Sequence, residues 1–407
     1  MSQAPDLIDA IARKTRHRGS QIALILLCFL PVLGSVIGRL VNGRYWLGDY
    51  YALACGAEQF RQGFSPYGVE LACPGMKAAA YVYAPQLGQA FAGLIGLFGL
   101  PALEIAYTIL LGLAYGLTLW MVVIRPVGGV EIDWRTRILM GTFLTGSAVS
   151  SGNLAILLHL ILASLTLAVP RHRWPLMLGI AIVVLIKPVF LTYAVVLGLR
   201  PGPLLGRIRD VLLAVGFGGL ALLWQWQSAG VWTAAWQASL DSVVFAEQPG
   251  ISLFAWLKTV GVVPMSSLSL GLYGLYAVVV GVLLLVLTES LSHALPETGR
   301  DTLRIALALL APALLNPRLM DYDLLWLGLP VAVLILGLRS LGTPAARSLV
   351  TALVALCAGV WLLNMADIDG VSAVPIGTFG LMLIVCAAAL VCYRHNPAKV
   401  RALFVRP

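Results

Sequence analysis

Apolar runs recur every 20 to 30 residues along the whole chain, separated by polar stretches that are mostly short. A membrane-spanning helix needs about 20 predominantly apolar residues, fewer where neighbouring protein shields it. On that measure the pattern predicts twelve crossings, near 21–40, 102–124, 138–150, 153–169, 175–186, 189–199, 210–227, 266–288, 303–316, 321–338, 348–364 and 375–393. Several are short, particularly those between 138 and 199. The run 84–98 is apolar but short, and is expected to insert only partly. Two polar intervals are long, 41–101 and 228–265. In the first, Tyr50, Leu53, Ala54, Ala57, Phe60 and Phe64 fall at the spacing of one helix face, which predicts a helix lying on the bilayer surface. The second carries Trp232, Trp236 and Trp256 and is read the same way. The expected architecture is one all-α polytopic membrane domain over 1–407, with interfacial helices on its outer face.

Composition agrees with the pattern. Hydrophobic residues make up 60% of the chain and charged residues 11%, with a mean hydropathy of +0.91. That excludes a soluble globule. The formal net charge of +9 reflects where basic residues sit, and no nucleic-acid partner is expected. With residues 1–20 and the loops near 125–137, 170–174, 200–209, 289–302, 339–347 and 394–407 in the cytoplasm, 20 of the 27 Lys and Arg lie inside, Arg304 counted as a flank. This is the positive-inside bias. A full crossing at 84–98 would turn the basic loops at 125–137 and 170–174 outward, so partial insertion is preferred. The run behind the basic tail lacks a small-residue cleavage site and is read as a retained first helix. Outside then lie Asp49, Glu58, Glu70, Asp241, Glu247, Asp321, Asp323, Asp367 and Asp369, joined by Glu104. Cys28, Cys357, Cys386 and Cys392 lie in apolar runs and read as small buried residues. Cys55 and Cys73 flank the loop after the first crossing; they either pair, if that loop is extracytoplasmic, or remain thiols. No CxxC or Cys/His spacing suggests a metal site.

The candidate chemistry sits in polar interruptions at the outer ends of the runs. Ionisable groups at membrane depth are expensive, and by default they mark function. In WLGDYYALACGAEQFRQGFSPYG, Asp49 stands one or two turns beyond the first run. It reads as the N-cap of the following helix or as a general base, and the two are compatible. In AAAYVYAPQLGQAF, Tyr81 and Tyr83 precede Pro85, which suits a helix start. Interfacial tyrosines serve as anchors, and they also offer a sugar a ring face and a hydroxyl. Gly152-Asn153 in SSGNLAILLHLILA marks a tight outer turn. His159, deeper on an apolar face, reads as a buried neutral histidine with one partner. Lys187 ends an unbroken apolar run at a helix-breaking proline; a cation there runs against the positive-inside trend, which favours anion binding over snorkelling. In LLNPRLMDYDLLWL, Asn316, Arg318, Asp321, Tyr322 and Asp323 crowd one turn. Arg318 either pairs with Asp321 or clamps a phosphate with its planar guanidinium. The interval 228–265 adds Gln248 and Ser252.

Through the segments GDYYALACGAEQFRQGFSPYG, YVYAPQ, SGNLAILL, RHRWPLMLGIAIVVLIKP, EQPGISLFAWL and NPRLMDYDLLWL, in order over most of the chain, the sequence resembles the integral-membrane GT-C glycosyltransferases, specifically glycosyltransferase family 87. The resemblance implies a GT-C fold and inverting transfer of a sugar from a polyprenyl-phosphate donor to a lipid or glycan acceptor. Mannose is the favoured sugar, with arabinose or another pentose or hexose as alternatives. It also implies Asp49 as catalytic base and Lys187 at the donor phosphate, with Arg318 beside it. Sugar or acceptor contacts are expected from Tyr50, Tyr81, Tyr83, Asn153, Gln248, Asp321 and Tyr322. Many relatives carry a Trp/His-rich sequence after the late proline, where this chain has Arg318 to Asp323. No cofactor and no metal are expected, because cations can neutralise a phosphate leaving group. The expected setting is a bacterial inner (cytoplasmic) membrane, with the active site facing the extracytoplasmic side among membrane lipids. The alternative is a transporter or flippase for a lipid-linked saccharide. Inverted repeats would mark that class, and none is visible. A non-enzymatic scaffold would leave Asp49 and Lys187 unexplained.

Overall fold

The computed structural model describes residues 18–41, 46–68, 73–143, 150–247, 250–366 and 373–405. Within them the backbone is helical, and the extended segments form two isolated antiparallel bridges, Cys73–Met76 and Val127–Val130. Six helices combine the length and apolar composition needed to cross a bilayer: Leu100–Ile124, Leu204–Ser228, Ser267–Ser292, Asp321–Leu341, Pro344–Leu363 and Pro375–His395. At 1.5 Å per residue each reaches roughly 30–39 Å, against a hydrocarbon core of about 30 Å. Arg18–Val41 has a similar reach, at 24 residues, and exposes Ile22, Leu26, Leu33 and Ile37. The chain is a polytopic helical membrane protein.

The other expected crossings are shorter or broken helices. Ala155–Ala168 and Trp174–Val183 have 14 and 10 residues, or about 21 and 15 Å. The run 189–199 divides into a 3₁₀ turn, Pro188–Tyr193, and a helix, Ala194–Leu199. The run 303–316 divides at Leu309 into Arg300–Ala308 and Leu310–Leu314. Such pieces survive at membrane depth only inside protein, where neighbours satisfy the broken backbone. Every residue from Leu303 to Asn316 is buried, as are Val196 and Leu197, whereas Ala155–Ala168 and Trp174–Val183 bury one face through Leu158, Leu162, Leu176 and Ile180 and expose Ile161, Leu178 and Ile182 on the other. Long spans surround this interior and show Leu212, Leu220, Leu275 and Val282 on their outer faces.

The run 84–98, expected to insert only partly, is the helix Pro85–Phe98, followed directly by Leu100–Ile124. Of the run 138–150, Trp134–Met140 and a 3₁₀ turn, Gly141–Phe143, are helical, Asp133 capping the first by accepting from the Arg135 and Thr136 amides. Residues 144–149 lie outside the described residues.

At the basic end many of the loop charges are paired. Asp210 meets Arg200 at 2.7 Å and Arg173 at 3.4 Å. Buried Glu289 accepts from both Arg207 and Arg304, and Arg304 Nε donates to the Leu199 carbonyl at 2.7 Å. These arginines join the ends of separate helices, because a buried charge is retained only where a partner is present.

Candidate functional site

The helix Gly48–Arg61 starts with Leu47 in the N-cap position. Asp49 therefore stands inside the first turn and is not the cap. The Leu47 amide donates to the Ser150 carbonyl and the Asp49 amide to Ser151, both at 2.9 Å. Gly152 makes this approach possible: its φ is +66°, and a Cβ there would stand 2.9 Å from Leu47 Cα. The Tyr107 hydroxyl holds the turn from behind, donating to the Gly152 carbonyl at 2.6 Å.

This stitching delivers Asn153 to Asp49. Asn153 Nδ2 donates to Asp49 Oδ2 at 2.9 Å. Its Oδ1 accepts from the Ala155 amide at 2.9 Å and from Lys187 Nζ at 2.5 Å. Both of those partners are donors, so the amide can face only one way, with its NH₂ toward the carboxylate. Lys187 sits where Trp174–Val183 has ended, in the extended conformation (φ −141°, ψ 107°) that a residue before proline prefers. Its ammonium lies 4.5 Å from the centroid of the Tyr322 ring. Enclosure pushes the Lys187 pKa down to about 8, with Asp323 and Asp49 acting in the opposite sense.

The late turn is locked by its own polar groups. Asn316 Oδ1 accepts from the Arg318 amide at 2.9 Å, and Asn316 Nδ2 donates to Asp323 Oδ2 at 3.2 Å. The same carboxylate oxygen accepts from the Met320 amide at 2.9 Å. Asp323 Oδ1 meets His159 Nε2 at 2.9 Å, and His159 Nδ1 meets the Tyr193 hydroxyl at 2.8 Å. A carboxylate only accepts, so Nε2 carries a proton; in the neutral imidazole Nδ1 then accepts from Tyr193. His159 thus has two partners, not the one expected. The second long interval fastens to this turn through Ile251, whose amide donates to the Leu319 carbonyl at 2.9 Å, and Ser252, whose hydroxyl donates to the Pro317 carbonyl.

These elements enclose a cavity of about 440 Å³, within the range of small-molecule sites. Its polar lining is Asp49, Tyr83, Asn153, Lys187, Arg318, Tyr322 and Asp323. The rest of the lining is largely apolar and includes Leu240, Val243, Val244, Phe245, Phe254, Met265, Leu270 and Tyr273. Phe254 and Tyr273 stack with centroids 5.3 Å apart. The arrangement can hold an anion beside two cations, with a carboxylate nearby and room for an apolar tail along the apolar lining.

Six of the ten expected site residues meet here: Asp49, Tyr83, Asn153, Lys187, Arg318 and Tyr322. Tyr50 and Tyr81 do not, because both are packed in the interior. Tyr50 is 1% exposed and stacks on Tyr107 at 4.6 Å. Tyr81 is fully buried, and its hydroxyl donates to the Ala84 carbonyl at 3.0 Å. Asp321 is absent from the lining; in the 3₁₀ turn Asp321–Trp326, Tyr322 and Asp323 turn inward instead. Gln248 lies outside the described residues, as do Glu70, Asp367 and Asp369. Asp323, expected in the crowded late turn but given no role there, lines the cavity as well. Its signal was His159, a polar group deep in an apolar helix that needed a partner. Cys55 and Cys73 form a disulfide, tying the Asp49 helix to the segment that leads to Tyr83. Cys357 and Cys392 are buried thiols and Cys386 is half-buried. No protein-family model, no curated protein and no solved structure matches this chain.

Proposed function

We propose that the chain is an inverting glycosyltransferase of the GT-C type that uses a polyprenyl-phosphate sugar, with mannose first among the candidate sugars. One observation carries the reading: Asp49, Asn153 and Lys187 form a continuous hydrogen-bonded chain in a cavity whose lining is otherwise largely apolar. A candidate base and a candidate phosphate cation are thereby held at a fixed separation, and a polyprenyl tail suits the apolar lining. In this reading the acceptor hydroxyl oxygen attacks the anomeric carbon from the face opposite the phosphate. The new C–O bond forms as the bond to the phosphate oxygen breaks. Asp49 takes the hydroxyl proton, and polyprenyl phosphate leaves with the bonding pair. Lys187 and Arg318 face the charge growing on the leaving oxygen, where fixed electrostatics contribute most. Tyr83 and Tyr322 offer ring faces to the sugar.

The wider reading is a GT-C fold of about twelve crossings in a bacterial inner membrane, with the cavity extracytoplasmic. Two features support that orientation: the 20-to-7 division of basic residues and the Cys55–Cys73 disulfide, a bond that persists in oxidising compartments. The decisive experiment incubates the purified chain, in nanodiscs with native lipids, with a panel of radiolabelled polyprenyl-phosphate sugars. Transfer of label to an acceptor with release of polyprenyl phosphate is expected. A folded protein inert toward the whole panel overturns the reading. Movement of intact donor across a proteoliposome membrane, without bond cleavage, would put the transporter in its place.

A further inference from the structure

A second cavity, of about 560 Å³, lies at the far end of Ala155–Ala168 from the first. Leu100–Ile124 ends there at Arg125, Ala155–Ala168 ends just before Arg171 and His172, and Arg300–Ala308 begins there with Thr302 in its first turn. Ala155–Ala168 links the two cavities. Asn153 precedes its start in the first, and Ala168 lines the second, about 20 Å away along the axis. Arg125, Arg171 and His172 line this cavity, and among the described residues no carboxylate does.

Other arginines of this face are matched within the chain. Arg173, Arg200 and Arg209 stand beside Asp210, Arg207 and Arg304 beside Glu289, Arg300 beside Glu297, and Arg339 beside Asp133. Among the described residues Arg125 and Arg171 have no carboxylate partner. The Arg125 guanidinium lies 5.4 Å from the Trp120 ring centroid, a contact that orients the charge without neutralising it. Positive-inside loops ordinarily leave some arginines solvated. That does not account for two of them converging, from loops 46 positions apart (171 − 125), on one concavity with a tight floor. The floor is the 126–130 turn packed on the start of Arg300–Ala308: a Cβ on Gly128, whose φ is +61°, would stand 2.8 Å from the Gly299 carbonyl oxygen.

The rim identifies the source of the anion. Leu113, Leu117, Trp120 and Ile124 lie on one face of Leu100–Ile124, each between 45% and 60% exposed, and that strip leads directly to Arg125. A molecule with its anion in the cavity and its acyl chain on the strip uses both features; a soluble anion uses only one. A zwitterionic headgroup would bring its cation to a lining that offers no acid. We propose that this cavity binds the headgroup phosphate of an anionic phospholipid, with Arg125 and Arg171 on the phosphate and the Leu113–Ile124 strip along an acyl chain. The site is independent of the glycosyl-transfer reading.

The test places the full chain in nanodiscs of phosphatidylcholine alone or mixed with phosphatidylglycerol, and reads retained lipid by native mass spectrometry together with Tm. Wild type should retain phosphatidylglycerol selectively and melt several degrees higher in its presence. Arg125→Gln/Arg171→Gln should match wild type in phosphatidylcholine but bind phosphatidylglycerol about 30-fold more weakly, at about a factor of five per cation near the surface. Arg125→Lys/Arg171→Lys, which keeps the charge, should retain most of the preference and covers the case in which the glutamine pair misfolds. Arg394→Gln, at an exposed arginine elsewhere, should change nothing. Equal retention of both lipids by wild type, an undiminished preference in the glutamine pair, or an equal loss in Arg394→Gln overturns the proposal. The same rise in Tm from inorganic phosphate in phosphatidylcholine would assign the cavity to a soluble anion and overturn the lipid.

Discussion

Asp49→Asn separates chemistry from architecture at the proposed base. The substituted amide keeps an oxygen that can accept from Asn153 Nδ2, which now donates to Asp49 Oδ2 at 2.9 Å. What changes is charge. A hydrogen bond to a charged group is worth about 1.5–3 kcal/mol and a neutral one about 0.5–1.5, so the bond weakens by about 1 kcal/mol. Losing an acid from the first turn of Gly48–Arg61 costs about 0.3–1 kcal/mol more through the helix dipole. The folded protein should therefore persist, with Tm lower by a few degrees. Removing a general base costs about 10²–10⁴ in rate, and 10² corresponds to about 2.7 kcal/mol of barrier. Transfer from a labelled polyprenyl-phosphate sugar, assayed in nanodiscs beside a melting curve, should fall at least 10²-fold. A well-folded Asp49→Asn protein within about threefold of wild type would refute the assignment. If Asp323→Asn then abolished transfer, the base would be the other carboxylate of the cavity.

Three further outcomes are expected. Lys187 has its pKa lowered to about 8, and it must be protonated to hold phosphate; the KM for a phosphodiester donor should therefore rise as pH climbs through about 8, and this dependence should disappear in Lys187→Gln. His159→Phe strands the buried Asp323 and Tyr193 groups; unsatisfied buried partners cost about 1–3 kcal/mol each, which a denaturation curve in detergent would register, and unchanged stability would refute the bridge. Gly152→Ala forces a Cβ to 2.9 Å from Leu47 Cα in a left-handed conformation, costing about 1–2 kcal/mol in strain alone; transfer should fall although residue 152 is absent from the cavity lining, and full activity would show that the 47–49 and 150–153 stitching is not needed.

Much of the site was legible because a membrane makes polar groups conspicuous. Asn153, Lys187 and Arg318 each interrupt or end an apolar run and Asp49 stands just beyond one, and near the bilayer such a group needs a partner or a role. Long helices such as Leu204–Ser228 and Ser267–Ser292 were legible for the same reason. The broken interior was less so: the pattern of Leu303–Asn316 does not distinguish one crossing from two buried pieces, because burial in protein and in lipid select the same apolar residues.

The sequence by itself determined the class of the protein and singled out the principal charged candidates in the polar intervals between its apolar runs, since these follow from hydropathy, charge placement and the cost of burying ions. The tertiary structure alone decided that Asn153 bridges Asp49 to Lys187, that Asp323 and not Asp321 faces the cavity, and that Tyr50 and Tyr81 pack in the interior. It alone joined residues 49, 153, 187 and 323 in one site. Hydrogen bonds between residues 34 to 164 positions apart leave no period in the chain, and which of two acids turns inward depends on the twist of a 3₁₀ turn against its neighbours. Local pattern reports the environment a residue requires; only packing selects the partner that supplies it.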